Sequence, residues 1–248
     1  MSALDLARDL ATGLLSLLAP RTCAACLAAL PPRATFGREW ALVLCPPCRR
    51  GVEPIGAACP ACGAPRPPFS DPAPRCRSCR GRPLGEVAGT VALLRYRGPA
   101  RRLLHRVKYG GRDDACAPLG RALGRRVVEA LGPLDPALVV VPVPLHLLRR
   151  WARGFNQAER VAEAAAEVLD RPLVPALARR RRTRPLFGVR REARDAVVAG
   201  AFRARRALGG RPVLLVDDIR TSGATLRAAA AALAAAGAGA VTAAVVAR

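Results

Sequence analysis

From Glu86 onward, short apolar runs alternate with longer stretches whose apolar residues recur every three to four positions. Val87 to Tyr96 reads as a strand, Pro99 to Tyr109 as a basic helix and Ala115 to Leu131 as a second helix. Leu138 to Val143 is a continuous apolar run closed by Pro144, the pattern of a strand buried on both faces. Phe155 to Leu169 is helical in period, and the closing elements are a strand at 212–216, a helix at 224–237 and a strand at 240–246. Strands alternating with helices predict a parallel α/β sheet flanked by helices. Before residue 86 the pattern is different: Pro46, Pro60, Gly63 and the runs Pro65–Pro68 and Pro72–Pro74 break every periodicity. A boundary is therefore expected near residue 85, with one domain at 1–85 and another at 86–248. Residues 1–20 carry leucines at 4, 6, 10, 14, 15, 17 and 18 with Asp5 and Asp9 among them, which predicts a short amphipathic helix.

The turn-rich region cannot bury much core, and its cysteines supply an alternative. Eight of the nine cysteines form CxxC pairs: Cys23/Cys26, Cys45/Cys48, Cys59/Cys62 and Cys76/Cys79. A CxxC turn presents two thiolates to one ion, and two such turns complete a tetrahedral four-cysteine Zn²⁺ site whose binding energy becomes folding energy. Sequential pairing would give a double zinc ribbon, from Cys23, Cys26, Cys45 and Cys48 and from Cys59, Cys62, Cys76 and Cys79. A crossed arrangement satisfies the same spacing. Residues 1–20 lack the form of a secretory signal and no uninterrupted apolar stretch is long enough to span a membrane, so a cytoplasmic location is expected and zinc is favoured over disulfides. Cys116 stands alone and reads as a small buried residue.

Charge adds a partner class. The net charge is +23, and of 41 basic residues only Lys108 is lysine. So uniform a preference for arginine reflects coding bias in part, yet an excess of this size still predicts an anionic partner: nucleic acid, polyphosphate or a membrane surface. Between Arg179 and Arg206 there are eleven arginines against Glu192 and Asp195.

Two segments carry candidate chemistry. Val213 to Thr225, VLLVDDIRTSGAT, is an apolar run ending in Asp217 and Asp218, then a small-residue loop, then an Ala-rich helix. The loop falls at the carboxyl end of a strand, where open α/β sheets bind ligands. Free N–H groups of Ser222, Gly223, Ala224 and Thr225 at a helix start suit a phosphate, and the hydroxyls of Thr221, Ser222 and Thr225 add donors. The two carboxylates accept only, so they suit sugar hydroxyls beside that phosphate. In the second segment a strand ends at Pro142-Val143-Pro144, and the following loop delivers Arg149, Arg150 and Arg153 just before a helix. Guanidinium forks bond in pairs to phosphoryl oxygens, which suits a diphosphate.

Val213–Thr225 resembles the signature of the type I phosphoribosyltransferases. That resemblance implies that the loop holds the 5-phosphate of phosphoribosyl pyrophosphate (PRPP), that the acidic pair holds the ribose hydroxyls, and that Mg²⁺ accompanies the ligand. With the CxxC pairs, Leu104–Tyr109, Pro142–His146, Arg149, Arg153–Gln157 and Gly200–Phe202, the chain is identified as resembling the ComF family of competence-associated proteins, which join a zinc ribbon to a phosphoribosyltransferase-like domain. The resemblance implies a pyrophosphate site at Pro142, Val143, Pro144, Arg149 and Arg153 with Lys108, and a hood at 183–199. It further implies PRPP and single-stranded DNA as ligands, and a DNA-uptake helicase and recombination proteins as partners. Relatives tend to carry Gln three residues after a Thr and Asn three after an Arg in the hood, where this chain has Leu186 and Val197. That departure sets PRPP binding ahead of its alternative, active transfer to a nitrogenous base with release of pyrophosphate. A third reading is an adaptor whose ribbons dock a helicase. No residue is singled out as a catalytic acid or base; His105 and His146 read as structural or solvent-facing.

Overall fold

A computed structural model of the chain describes residues 21–30, 43–67, 75–80, 85–145, 154–181 and 193–248. The expected helix at 1–20 lies outside them, as do His146, Arg149, Arg150, Arg153 and Leu186.

The body is the expected parallel sheet. Strands β1 (Val87–Leu94), β2 (Val139–Pro142), β5 (Val213–Ile219) and β6 (Val241–Ala247) are ordered β1-β6-β5-β2, every pair parallel. Val174 donates to the Val140 carbonyl, so residues 172–174 extend the sheet beyond β2. Helices α2 (Gly98–Tyr109), α3 (Cys116–Leu131) and α4 (Gln157–Leu169) cover one face and α6 (Ala224–Ala234) the other. The continuous apolar runs are explained by this double coverage. Along β5, Leu214 and Val216 face the three-helix side while Val213 and Leu215 face α6. Helices α3 and α4 approach closely because Gly120 and Gly124 stand at their crossing: a side chain on Gly120 would strike the Val161 carbonyl, and one on Gly124 would lie 3.0 Å from the Ala165 carbonyl oxygen.

Four short elements were not visible in the periodicity. Short β3 (Leu177–Arg179) and β4 (Phe202–Ala204) form an antiparallel ribbon within the arginine-rich stretch. Helices α1 (Pro46–Arg50) and α5 (Arg194–Val198) are single short turns, below the length at which a helical period can be read. Strand β5 also runs past the expected end at 216, because Asp217 and Ile219 keep pairing with Val245 and Ala247 of β6.

The cysteine-rich region is built on a repeated knuckle. Cys23 N–H donates to the Ala28 carbonyl and Leu27 N–H to that of Cys23; Cys59 and Gly63 repeat both bonds with Ala64 and Cys59. Both knuckles place their fifth residue in the left-handed region, Leu27 at φ 68° and Gly63 at φ 67°. The region is docked on the sheet. Ile55 and Arg95 exchange backbone bonds with Leu93 and Glu53, so residues 53–55 cover the free edge of β1 antiparallel. Cys23, Ala24, Val43, Leu44, Cys45, Cys48 and Val52 share one apolar core with α2, α3 and β1, across the change in composition near residue 85.

Candidate functional site

The carboxyl ends of the four strands converge on the DDIRTSGAT segment. Gly223, at φ 82°, caps α6 in the left-handed conformation, which turns the chain sharply from strand to helix. Ala224 N–H lies 3.4 Å from Ser222 Oγ, so the loop is held by its own hydroxyl and its free amides stand at the helix start. At the end of β5, Asp217 Oδ1 accepts from Asp218 N–H at 2.8 Å, and Asp218 Oδ2 pairs with Lys108 Nζ at 3.0 Å. Burial raises the Asp217 carboxyl to about 7, with the adjacent Asp218 charge adding to it and Lys108 opposing. Burial alone would lower the Lys108 ammonium, but the Asp218 carboxylate more than offsets this and raises it. Lys108, the one lysine in the chain, thus stands at the C-terminal turn of α2 against the acidic pair.

The second segment is described at both ends. Val143 N–H donates to the Val216 carbonyl, fixing the strand exit of Pro142-Val143-Pro144 beside β5. Asn156 Nδ2 donates back to the Val143 carbonyl at 3.3 Å, so the loop leaves and returns at one point. Gln157 Nε2 donates to the Val107 carbonyl at 3.3 Å, tying the start of α4 to the turn that carries Lys108. Both polar side chains are buried, and neither was assigned a role from sequence. The signal was available: two amides open a helix whose other inward positions are all apolar, Ala, Val or Leu. Beside this loop lies a cavity of about 390 Å³ bounded by Pro144, Asn156, Arg179, Arg180, Arg203 and Arg205.

Arg220 was also missed, because it reads as an exposed loop arginine. It is 5 % exposed. Its Nη1 donates to Thr90 Oγ1, its Nε has no partner, and its guanidinium lies under Gly223, where a side chain would come within 3.0 Å of it. Burial pulls this group below the usual arginine range, Cys62 and Cys79 oppose that, and Arg248 and Arg227 reinforce it.

The cysteines gather in sequence order rather than crossed. The ligand atoms of Cys23, Cys26, Cys45 and Cys48 lie within 4.8 Å of one another, as do those of Cys59, Cys62, Cys76 and Cys79. None is in a disulfide. Cys26–Cys45 and Cys62–Cys76 sulfur separations of 3.6 and 3.7 Å match the roughly 3.8 Å edge of a tetrahedron with 2.3 Å metal–sulfur bonds. Donors aim at the sulfurs: Ala25 N–H at Cys23, Cys76 N–H at Cys59, and the Arg102 guanidinium at Cys48. Burial raises Cys23 and Cys59, but backbone N–H donors outweigh it and bring each down to about 6. Burial pushes Cys48 and Cys79 up to about 12. Four touching thiols cannot all ionise without a cation among them, and a Zn²⁺ ion fits both sets. Cys116 is buried in the core, its thiol pushed up to about 12 by burial, as suits an inert packing residue. His105 is exposed and lies against Tyr109 at 4.9 Å. Among the described residues no helix is long and apolar enough to cross a membrane.

A family model described as "Phosphoribosyl transferase domain" matches residues 156–248. DNA utilization protein YhgH of Escherichia coli is 30% identical over 186 residues, covering 74% of this chain and 80% of that protein. Competence protein F of Haemophilus influenzae is 30% identical over 142 residues, 55% of this chain and 62% of its own length. Competence protein ComFC of Bacillus subtilis is 28% identical over 194 residues, 75% and 76% of the two chains. No solved structure gives a significant match.

Proposed function

The chain belongs to the ComF family of competence and DNA-utilisation proteins, and we propose that its parallel sheet carries a PRPP site. The observation that carries this reading is the placement of Asp217 and Asp218 near the carboxyl end of β5, ahead of the loop that turns at left-handed Gly223 into α6. Ribose hydroxyls donate to the two carboxylates, and the 5-phosphate takes the amides and hydroxyls of Thr221, Ser222, Gly223, Ala224 and Thr225. Pyrophosphate lies over Pro142–Pro144, within reach of Lys108, with Arg149 and Arg153 from the loop that follows. Mg²⁺ bound with PRPP supplies neutralising charge to the diphosphate. Each four-cysteine set holds one structural Zn²⁺, and residues 1–85 act as the metal-carrying unit.

The anionic partner is single-stranded DNA. Alternation along the β3–β4 ribbon buries Leu177 and Phe202 and leaves Arg180, Arg203 and Arg205 exposed on the opposite face, a row of guanidinium groups beside the cavity at Asn156. Such a row neutralises backbone phosphates without reading sequence, so affinity falls steeply with salt. A DNA-uptake helicase and recombination proteins are the partners this role calls for.

Calorimetric titration of zinc-replete protein with PRPP and Mg²⁺, beside an Asp217→Asn/Asp218→Asn control, tests the site. Binding in the wild type that is lost in the control is expected; a folded wild type that takes up no PRPP refutes the reading. For DNA, raising salt from 50 to 200 mM is expected to weaken single-strand binding at least about tenfold. An affinity that barely changes refutes the phosphate track.

A further inference from the structure

The phosphate loop and the second four-cysteine cluster are joined by a continuous set of bonds. The knuckle at Cys59–Gly63 lies flat on β1: Thr90 N–H donates to the Pro60 carbonyl at 2.8 Å, and Thr90 Oγ1 donates to the Ala61 carbonyl at 3.1 Å. That same hydroxyl accepts from Arg220 Nη1. Arg248 Nε donates to the Cys62 carbonyl at 3.1 Å. Arg248 is therefore anchored directly on a carbonyl of the CxxC turn, and Arg220 through the Thr90 hydroxyl that binds the adjacent one. They then line a cavity of about 360 Å³ with Arg194, Tyr96, Thr221 and Ser222.

The contents of this cavity are unbalanced. Arg220 is buried, one of its nitrogens is unpartnered, and Arg227 and Arg248 add positive charge. Asp195, next to Arg194 in the chain, is engaged by Arg227 at 2.6 Å. A buried guanidinium left in this way calls for an anion, and the hydroxyl-bearing wall fits a phosphate monoester dianion. A zinc tetrathiolate, carrying two net negative charges, would stand behind the same two arginines and hold them in place.

We propose that the second four-cysteine cluster is part of the phosphate site: its metal-held knuckle fixes Arg220 through Thr90, and Arg248 directly, so the loop at 221–225 takes a phosphate monoester only when that cluster is loaded. This rests on the phosphoribosyl reading for the identity of the ligand, but the mechanical link does not. Thr90→Val deletes the shared hydroxyl and keeps the shape of the strand. Cys76→Ser removes a half-buried ligand of the second cluster.

The test measures zinc per chain, PRPP affinity by calorimetry and hydrogen–deuterium exchange of the segment 219–227. Thr90→Val is expected to keep two zinc ions, and Cys76→Ser one. Both are expected to lose PRPP affinity at least tenfold and to exchange faster at 221–225. Wild-type loop exchange in both variants overturns the proposal, whatever the affinities. A wild type that does not bind PRPP refutes the phosphoribosyl reading alone, because the exchange comparison still decides the link.

Discussion

The two four-cysteine clusters have the same knuckle and the same ligand set, yet they are attached to different parts of the molecule. The first belongs to the main core: Cys23, Ala24, Val43, Leu44, Cys45 and Cys48 pack with α2, α3 and β1. Around it, Arg106 donates to the Ala25 carbonyl and Arg112 to Thr22. The second forms a small cluster of its own, Cys59, Ala61, Cys62 and Cys79, seated on β1 at Thr90, the residue that also receives Arg220. Identical chemistry thus serves two purposes according to what it touches. The first cluster clamps the fold, and the second braces the site.

Breaking each cluster separately gives the largest expected effect. Cys45→Ser removes a core residue and a metal ligand together, and is expected to lower Tm by about 10 °C or more, since structural zinc contributes folding energy outright. Cys76→Ser is expected to lower Tm by less than half as much while abolishing tight PRPP binding. Thermal scans of the two variants side by side check this; equal losses of stability would mean that the clusters are mechanically equivalent.

A middle-sized effect concerns the site that the second cluster braces. With Asp217 near 7, its carboxyl is largely protonated at pH 6 and ionised at pH 8. PRPP hydroxyls need the ionised form as acceptor, so affinity is expected to rise about tenfold over that range, and Asp217→Asn to flatten the profile. Stability runs the other way. The unfolded carboxyl ionises near 3.8 and the folded one near 7, so the folded state is stabilised by its proton at low pH and loses that advantage progressively up to about 7. Asp217→Asn removes this cost, and its gain in Tm is expected to be larger at pH 8 than at pH 5.

The contrast also marks what could be read from the residues. Every strand of the parallel sheet was legible because each contains a mostly buried apolar run, and the phosphate loop because its Gly and hydroxyl residues sit at a strand-to-helix turn. The CxxC spacing identified the ligands, but only the structure settles their sequential grouping, since spacing is the same in either arrangement. Arg220 and Thr90 were opaque for a different reason. They are 130 residues apart, and their partnership exists only because β1 and β5 flank β6 in one sheet. The β3–β4 ribbon was hidden by its length of three residues per strand and by arginines at two of its six positions.

The smallest effect is also the sharpest test of the contrast, because it exchanges one matched position of the two knuckles. Leu27 and Gly63 have nearly the same positive φ. Leu27 is 49 % exposed, so its side chain meets little while its backbone is held in a conformation that costs an L-residue about 1–2 kcal/mol. Leu27→Gly relieves that strain against about 0.5–1 kcal/mol of added chain entropy, and a gain in Tm of roughly 1–3 °C is expected with PRPP binding unchanged. The reverse change is not symmetrical. A side chain at Gly63 would lie 3.0 Å from Ala92 Cβ and 3.2 Å from Thr90 Cγ2, so Gly63→Leu must lift the knuckle from β1. Lifting it separates Ala61 from Thr90 and frees Arg220, and PRPP affinity is expected to fall with the second zinc retained. If Gly63→Leu binds PRPP as the wild type does, then contact with β1 is incidental and the two clusters differ only in position.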